Sequence, residues 1–140
     1  VDIWAVMMKD GTQRMLGFCT ASDGLWIAAK LKDPAVMDAL APDHSSDWRS
    51  LAVSILHKLI FDKLVPEKLD TTVENRYVHT HREVTGCCDA NDCSLGVLVP
   101  PTNIDQMRRI AGNREKMPPK STYFYPKLLT GLVFNSLKKD

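Results

Sequence analysis

Between Ser46 and Leu64 the apolar residues leave almost no polar face. Leu51, Ile55 and Leu59 recur at helical spacing, and Val53, Leu56, Ile60 and Leu64 fill most of the remaining circumference. A helix that is apolar nearly all round its axis must be covered on most sides. Any fold available to this chain therefore wraps its other elements around this one. Pro66 is expected to end it. Upstream, Met15–Thr20 and Leu25–Leu31 flank Ala21-Ser22-Asp23-Gly24 and read as an antiparallel hairpin. Asp33-Pro34 then opens a short helix, with Asp33 as N-cap and Pro34 at the first helical position, and Pro42 closes it. The first eleven residues have two readings. Asp10-Gly11 is either a hairpin turn between Ile3–Met8 and Arg14–Thr20, or the end of a helix over Asp2–Lys9 capped by Gly11.

Two capping boxes organise the second half. Thr80 with Glu83 starts a helix through about Ala90, and Thr102 with Asp105 starts another through about Arg114. Asn75–His79 is a short strand candidate before the first box. Cys93–Val99 is a compact apolar strand stopped by Pro100-Pro101, and Thr122–Tyr125 and Leu132–Leu137 read as further strands. Strand, helix, strand is a βαβ-like rhythm and predicts some parallel pairing. The expected fold is α/β (or α+β): a mixed sheet with an antiparallel hairpin, followed by a βαβ-like C-terminal half packed on a long buried helix. Its 140 residues suit a single domain, 1–140, with one core.

The formal charge of +1 hides an asymmetry. Residues 1–100 carry 10 basic and 14 acidic side chains, whereas residues 101–140 carry 8 basic and 3 acidic. With no broad basic face, nucleic acid is not an expected partner, and no apolar run approaches the length of a membrane span. The sequence opens at Val1-Asp2-Ile3 without a secretory signal pattern, and its four cysteines are too few and clustered for a secreted disulfide scaffold. The expected setting is cytoplasmic, with this chain as the C-terminal part of a longer protein.

Three constellations carry potential chemistry. His79, His81, Cys87, Cys88 and Cys93 form a zinc-like set of ligand types, but they lack paired Cys-x-x-Cys spacing. Placing Val84, Cys87 and Cys88 on one apolar helix face explains them better, so no metal is expected. His57, inside the long helix beside Leu56, reads as a packing residue, because no partner for proton transfer is evident. The third is Met117–Lys127, in which Lys120, Ser121, Thr122, Tyr123, Tyr125 and Lys127 are held among three prolines. Lysine and hydroxyl groups match phosphate oxygens, and Tyr123 and Tyr125 would share one strand face for stacking. Lys120-Ser121 lacks the glycines of a P-loop. An edge strand with amphipathic tyrosines and solvated lysines is the competing reading.

Met117–Phe134, reading MPPKSTYFYPKLLTGLVF, closely resembles the C-terminal signature of a conserved prokaryotic family catalogued as domain-of-unknown-function family 1015. Leu31–Pro34, the Leu51–His57 segment with its Leu-His pair, Arg76-Tyr77-Val78 and Leu98–Thr102 extend the likeness over most of residues 14–137. The resemblance favours the helical reading of residues 2–9. Members often carry an acid where this chain has Ala52. It implies a longer parent protein whose N-terminal part bears a Gly-His-His-Arg-like motif, similar to the nucleotide-handling motif of ParB-like proteins and their kinase relatives. That motif is absent from these residues.

Two functions follow as expectations. In the first, the Lys120–Lys127 segment helps bind an anionic small molecule, a phosphorylated metabolite or nucleotide, with the reacting groups supplied by the N-terminal region of the same chain. In the second, it packs a domain or subunit interface, as in a homo-oligomer, without catalysis. Neither reading assigns a catalytic group or a cofactor.

Overall fold

The computed structural model describes residues 2–123. Helix α1 (Ile3–Asp10) is followed by strands β1 (Met15–Thr20) and β2 (Trp26–Lys30), then the short helices α2 (Val36–Leu40), α3 (Ser46–Arg49) and α4 (Ala52–Ile55). A π-helical segment, Leu56–Leu64, continues α4 and passes into α5 (Val65–Leu69). Helix α6 (His81–Asp89), strand β3 (Leu95–Leu98) and helix α7 (Ile104–Gly112) complete the order.

The two readings of the N-terminus resolve as a helix. Asp2 accepts hydrogen bonds from the Trp4 and Ala5 N–H groups at one end, and Gly11 closes the other with φ 64°, donating its N–H to the Met7 carbonyl. The hairpin forms as its turn residues predict, with Cys19 opposite Trp26 and Met15 opposite Lys30. Asp33 receives the Ala35 N–H at 2.9 Å, so it shapes the turn before α2, which begins two residues later than its sequence signal.

The sheet order is β2-β1-β3, and both pairings are antiparallel. The α/β class therefore stands, but the expected parallel pairing does not occur among the described residues. The reason lies in Asn75–His79, which is extended chain without a strand partner, so the helix that follows it connects no two strands. Strand β3 enters beside β1 from the opposite direction, with Gly17 facing Leu98 and Thr20 facing Leu95.

Alternation along β1 sorts the core into two faces. Leu16 and Phe18 pack with Met37, Ala52, Ile55 and Leu56 beneath α2 and α4. On the other face, Gly17 lies against Met7 and Ile3 of α1, and Cys19 lies near Gly96 under α6. Strand β3 alternates in step, with Val97 on the first face and Leu98 on the second. A further cluster joins Ala41, Trp48, Leu51, Val53 and Ile110, tying α3 and α7 together.

The long helix differs from its expectation in three ways. Leu51 is extended (φ −68°, ψ 138°), which splits α3 from α4. Burial is complete only from Leu51 to Leu56, and the residues from His57 onward are partly exposed. Pro66 does not end the helix, whose final residue is Leu69, capped by Asp70 in the left-handed region. The physical reason is the wide helical register: the Val65 N–H donates to the Ile60 carbonyl, five residues back. Pro66, which has no N–H to give, sits at the seam where the pairing returns to α-helical.

The first capping box is present in full, with Thr80 and Glu83 reciprocally bonded. Glu83 Oε2 accepts from the His79 N–H, the Thr80 N–H and the Thr80 hydroxyl. The His79 bond, followed by those of Thr80, holds its carboxyl below the usual 4.5. A carboxylate depressed in the folded state stabilises fully above its unfolded pKa, and this contribution is lost as pH falls through the folded value. Between neutral pH and about pH 3 the wild type should therefore lose more stability than Glu83→Gln. Parallel stability profiles of the two proteins in urea would contradict this role. The second box is displaced by one residue: Asn103 and Gln106 form it, rather than Thr102 and Asp105.

Candidate functional site

Past α7 the chain folds back onto the Trp48 cluster. Met117 packs against that cluster and Pro118 is buried, so the head of the distinctive motif is a packing element. The next four residues make a tight turn. The Ser121 N–H donates to the Pro118 carbonyl at 3.3 Å, and the Ser121 hydroxyl donates to the same oxygen at 2.7 Å. Pro119 and Lys120 occupy the two central positions, and Lys120 has φ 59°. Positive φ at the second central position is what a type II turn requires, and glycine or asparagine normally supplies it. Here a lysine does, with its side chain exposed.

Thr122 is exposed, and Tyr123, at 52% exposure, stacks on His79 with ring centroids 4.1 Å apart and planes 27° from parallel. Lys120, Ser121 and Thr122 thus lead in succession to Tyr123, which alone of the four meets the His79 imidazole. Tyr125 and Lys127 lie outside the described residues. Two of the neighbouring arginines are engaged elsewhere, Arg109 with Asp47 at 2.7 Å and Arg108 with Asp105 at 3.5 Å. Lys120, Arg114 and Lys116 have no ion pair among the described residues.

His57 does have a partner, and sequence inspection missed it. Tyr77 Oη lies 3.4 Å from His57 Nε2, the two rings stack at 6.3 Å, and Phe61 meets the imidazole edge-on. Burial pushes the His57 pKa below 6.5, opposed by Asp62 and aided by Lys58. Two residues apart on one extended segment, Tyr77 and His79 therefore each meet a ring from a distant part of the chain. The only local signal was the aromatic content of residues 77–79, which the sequence reading spent on a strand.

The cysteines form a separate group, with Cys19 and Cys88 buried and Cys87 and Cys93 partly exposed. The Cys88 and Cys93 sulfurs are 3.6 Å apart, the Cys88 thiol faces the Cys19 carbonyl at 3.7 Å, and burial raises both thiols. Val84 and Cys88 share the buried face of α6, while Arg76 reaches the Cys87 sulfur. His81 is exposed in the first turn and packs its ring against Trp26. Among the described residues no three His, Cys, Asp or Glu side chains are arranged to hold a metal ion. Among the same residues no helix is long and apolar enough to cross a membrane. No family model, curated protein or solved structure matches the chain.

Chemically, the turn and the stack offer an ammonium group, the Thr122 hydroxyl and an aromatic surface along one short stretch, while the Ser121 hydroxyl is spent on the Pro118 carbonyl. These groups bind and orient; none is a nucleophile paired with a base.

Proposed function

We propose that this chain is the C-terminal α/β part of a family-1015-like protein and contributes a site for a phosphorylated small molecule or nucleotide. The observation that carries the reading is Lys120 at φ 59°, a backbone position where lysine is disfavoured. The side chain is exposed and has no ion pair among the described residues, so its ammonium is open to a bound anion. Lys120 supplies charge to phosphate oxygens, Thr122 supplies a hydroxyl hydrogen bond, Ser121 fixes the turn through its bond to the Pro118 carbonyl, and the Tyr123–His79 stack offers a platform for a flat group. Tyr125 and Lys127 belong to the same proposed site. On the family likeness, the reacting groups would come from residues outside this sequence, in a cytoplasmic protein.

Lys120→Gly tests this cleanly, because glycine suits the turn and removes only the side chain. Binding of nucleotides and phosphorylated metabolites should weaken about tenfold or more, the loss expected for a charge-assisted hydrogen bond. The melting temperature should hold or rise. Wild-type affinity in Lys120→Gly would remove this lysine from any site.

The exposure of Tyr123 beyond the turn favours a second reading, in which the motif packs an interface between domains or between copies of the chain. On that reading Lys120→Gly leaves ligand binding unchanged and alters the mass in solution.

A further inference from the structure

We infer that a second site, independent of Lys120, binds an amphipathic oxyanion in the cleft between the β1–β2 hairpin and the α4/π-helical segment. Two adjoining hollows of about 310 and 210 Å³ make up this cleft, and Arg14, Leu31 and Ile55 line both. The larger reaches the lower end of the roughly 300–1,000 Å³ typical of small-molecule sites.

The charges in the cleft are of one sign. Arg14 and Arg49 line the larger hollow and Arg14, Lys30 and Lys32 the smaller, and neither is lined by a carboxylate. This occurs in the half of the chain where acids outnumber bases. Two of these cations are already compensated from behind, Lys30 by Asp10 and Arg49 by Asp38. Arg14 is not: among the described residues its guanidinium has no ion pair, although the side chain is only partly exposed. It stands where the two hollows meet.

Gln106 and Arg49 add donors, whereas the Thr12 and Ser50 hydroxyls are spent on Asp10 and the Asp47 carbonyl. Gln106 is 8% exposed and commits its side-chain oxygen to the Asn103 N–H at 2.8 Å, leaving its amide NH₂. Arg49 gives Nη1 to the His44 and Ala41 carbonyls and sets Nε beside Asp38, leaving Nη2. Gln13 is spent at both ends, on the Ala52 N–H and the Pro101 carbonyl, and so acts as a strut that fixes the wall. A partly desolvated arginine flanked by amide and guanidinium donors is matched by a carboxylate or phosphate, which accepts from all three. Beyond that head group the wall is apolar: Leu16, Phe18, Leu59 and Ile60 line the smaller hollow. The ligand class is therefore a small carboxylate or phosphate ester carrying a hydrocarbon body.

Calorimetric titration of the intact chain with octanoate, octyl phosphate and inorganic phosphate tests this. At least one of the two amphiphiles should bind saturably at one site, and inorganic phosphate at least tenfold more weakly. Arg14→Gln should weaken the amphiphile at least tenfold, Arg14→Lys less, and Lys120→Gly not at all. Should Arg14→Gln fail to fold, the amide chemical shifts of Leu31 and Ile55 in the wild type must move on adding the amphiphile. The inference is overturned if neither amphiphile binds, if a folded Arg14→Gln binds as wild type does, or if those amides stay still. Phosphate binding as tightly as octyl phosphate also overturns it. Loss of binding in Lys120→Gly alone places the ligand at the turn, which overturns this site and leaves the proposed function intact.

Discussion

Trp48→Ala should be the most damaging single truncation in the described structure, costing about 3–5 kcal/mol. Trp48 is 6% exposed and packs with Ala41, Leu51, Val53 and Ile110. Its indole also stacks on His44, with centroids 3.7 Å apart and planes 7° from parallel. That imidazole in turn holds Glu115, Nδ1 to Oε1 at 3.1 Å, and the Ser45 N–H donates to the same oxygen at 2.9 Å. Removing the ring leaves a cavity and loosens the support of a partly buried carboxylate. Urea unfolding gives the free energy directly, and the melting temperature should fall by about 10 °C or more. A loss under about 1 kcal/mol would mean that the site collapses around the gap and that Trp48 is no keystone.

Gly96→Ala is the second large effect, and it works by the opposite route. An added Cβ would lie 2.6 Å from Val84 Cγ1 and 2.8 Å from Cys88 Sγ, so α6 would have to lift away from β3. Cys19 Cβ at 3.6 Å blocks movement toward the sheet. Overpacking a closed site of this kind costs about 1–3 kcal/mol, and here the upper half of that range is expected. Gly17→Ala provides the control. Its nearest obstacle is the Met7 thioether at 2.9 Å, the mobile end of an adaptable side chain, so the loss should be smaller. Combining Gly96→Ala with Val84→Ala should cost less than the two single changes added together. Strict additivity would show that the methyl does not meet Val84.

The features legible in the sequence are those decided within a few residues. The Ala21–Gly24 turn and the Thr80–Glu83 box depend on local backbone geometry and short-range bonds, and each appears where its residues indicate, whereas Gly11 fitted a hairpin turn and a helix end equally until the fold decided for the helix. The expected Thr102 cap misses by one position, and Asn103 takes its place because Gln106, three residues on, can reach back to its N–H. Strand identity was less legible, because a strand exists only through its neighbour. Tyr77 and Val78 have strand-forming side chains, but Tyr77 turns to His57 and Val78 joins the Ile3–Leu98 cluster, and the segment pairs with neither edge of the sheet.

Site geometry was the least accessible. Lys120 and Ser121 could be singled out because they sit in an unusual local run, whereas the cleft residues Arg14, Arg49 and Gln106 are scattered and individually ordinary. Nothing in the neighbours of Arg14 announces that it lacks a counter-charge. Only the three-dimensional arrangement does so.

The antiparallel order β2-β1-β3 has a consequence for how the molecule assembles. Strand β1 meets β2 across a turn of a few residues, but it meets β3 only after Gly17 finds Leu98 far along the chain. Loop-closure entropy grows with the logarithm of loop length, so the second pairing is costlier by about 2–3 kcal/mol. The hairpin is therefore the natural early event. Helix α1 rests on β1 and β2 and can join the hairpin early, but α6 rests mainly on β3 and can close over the sheet only once β3 has docked, which makes this long-range closure the slow step of folding.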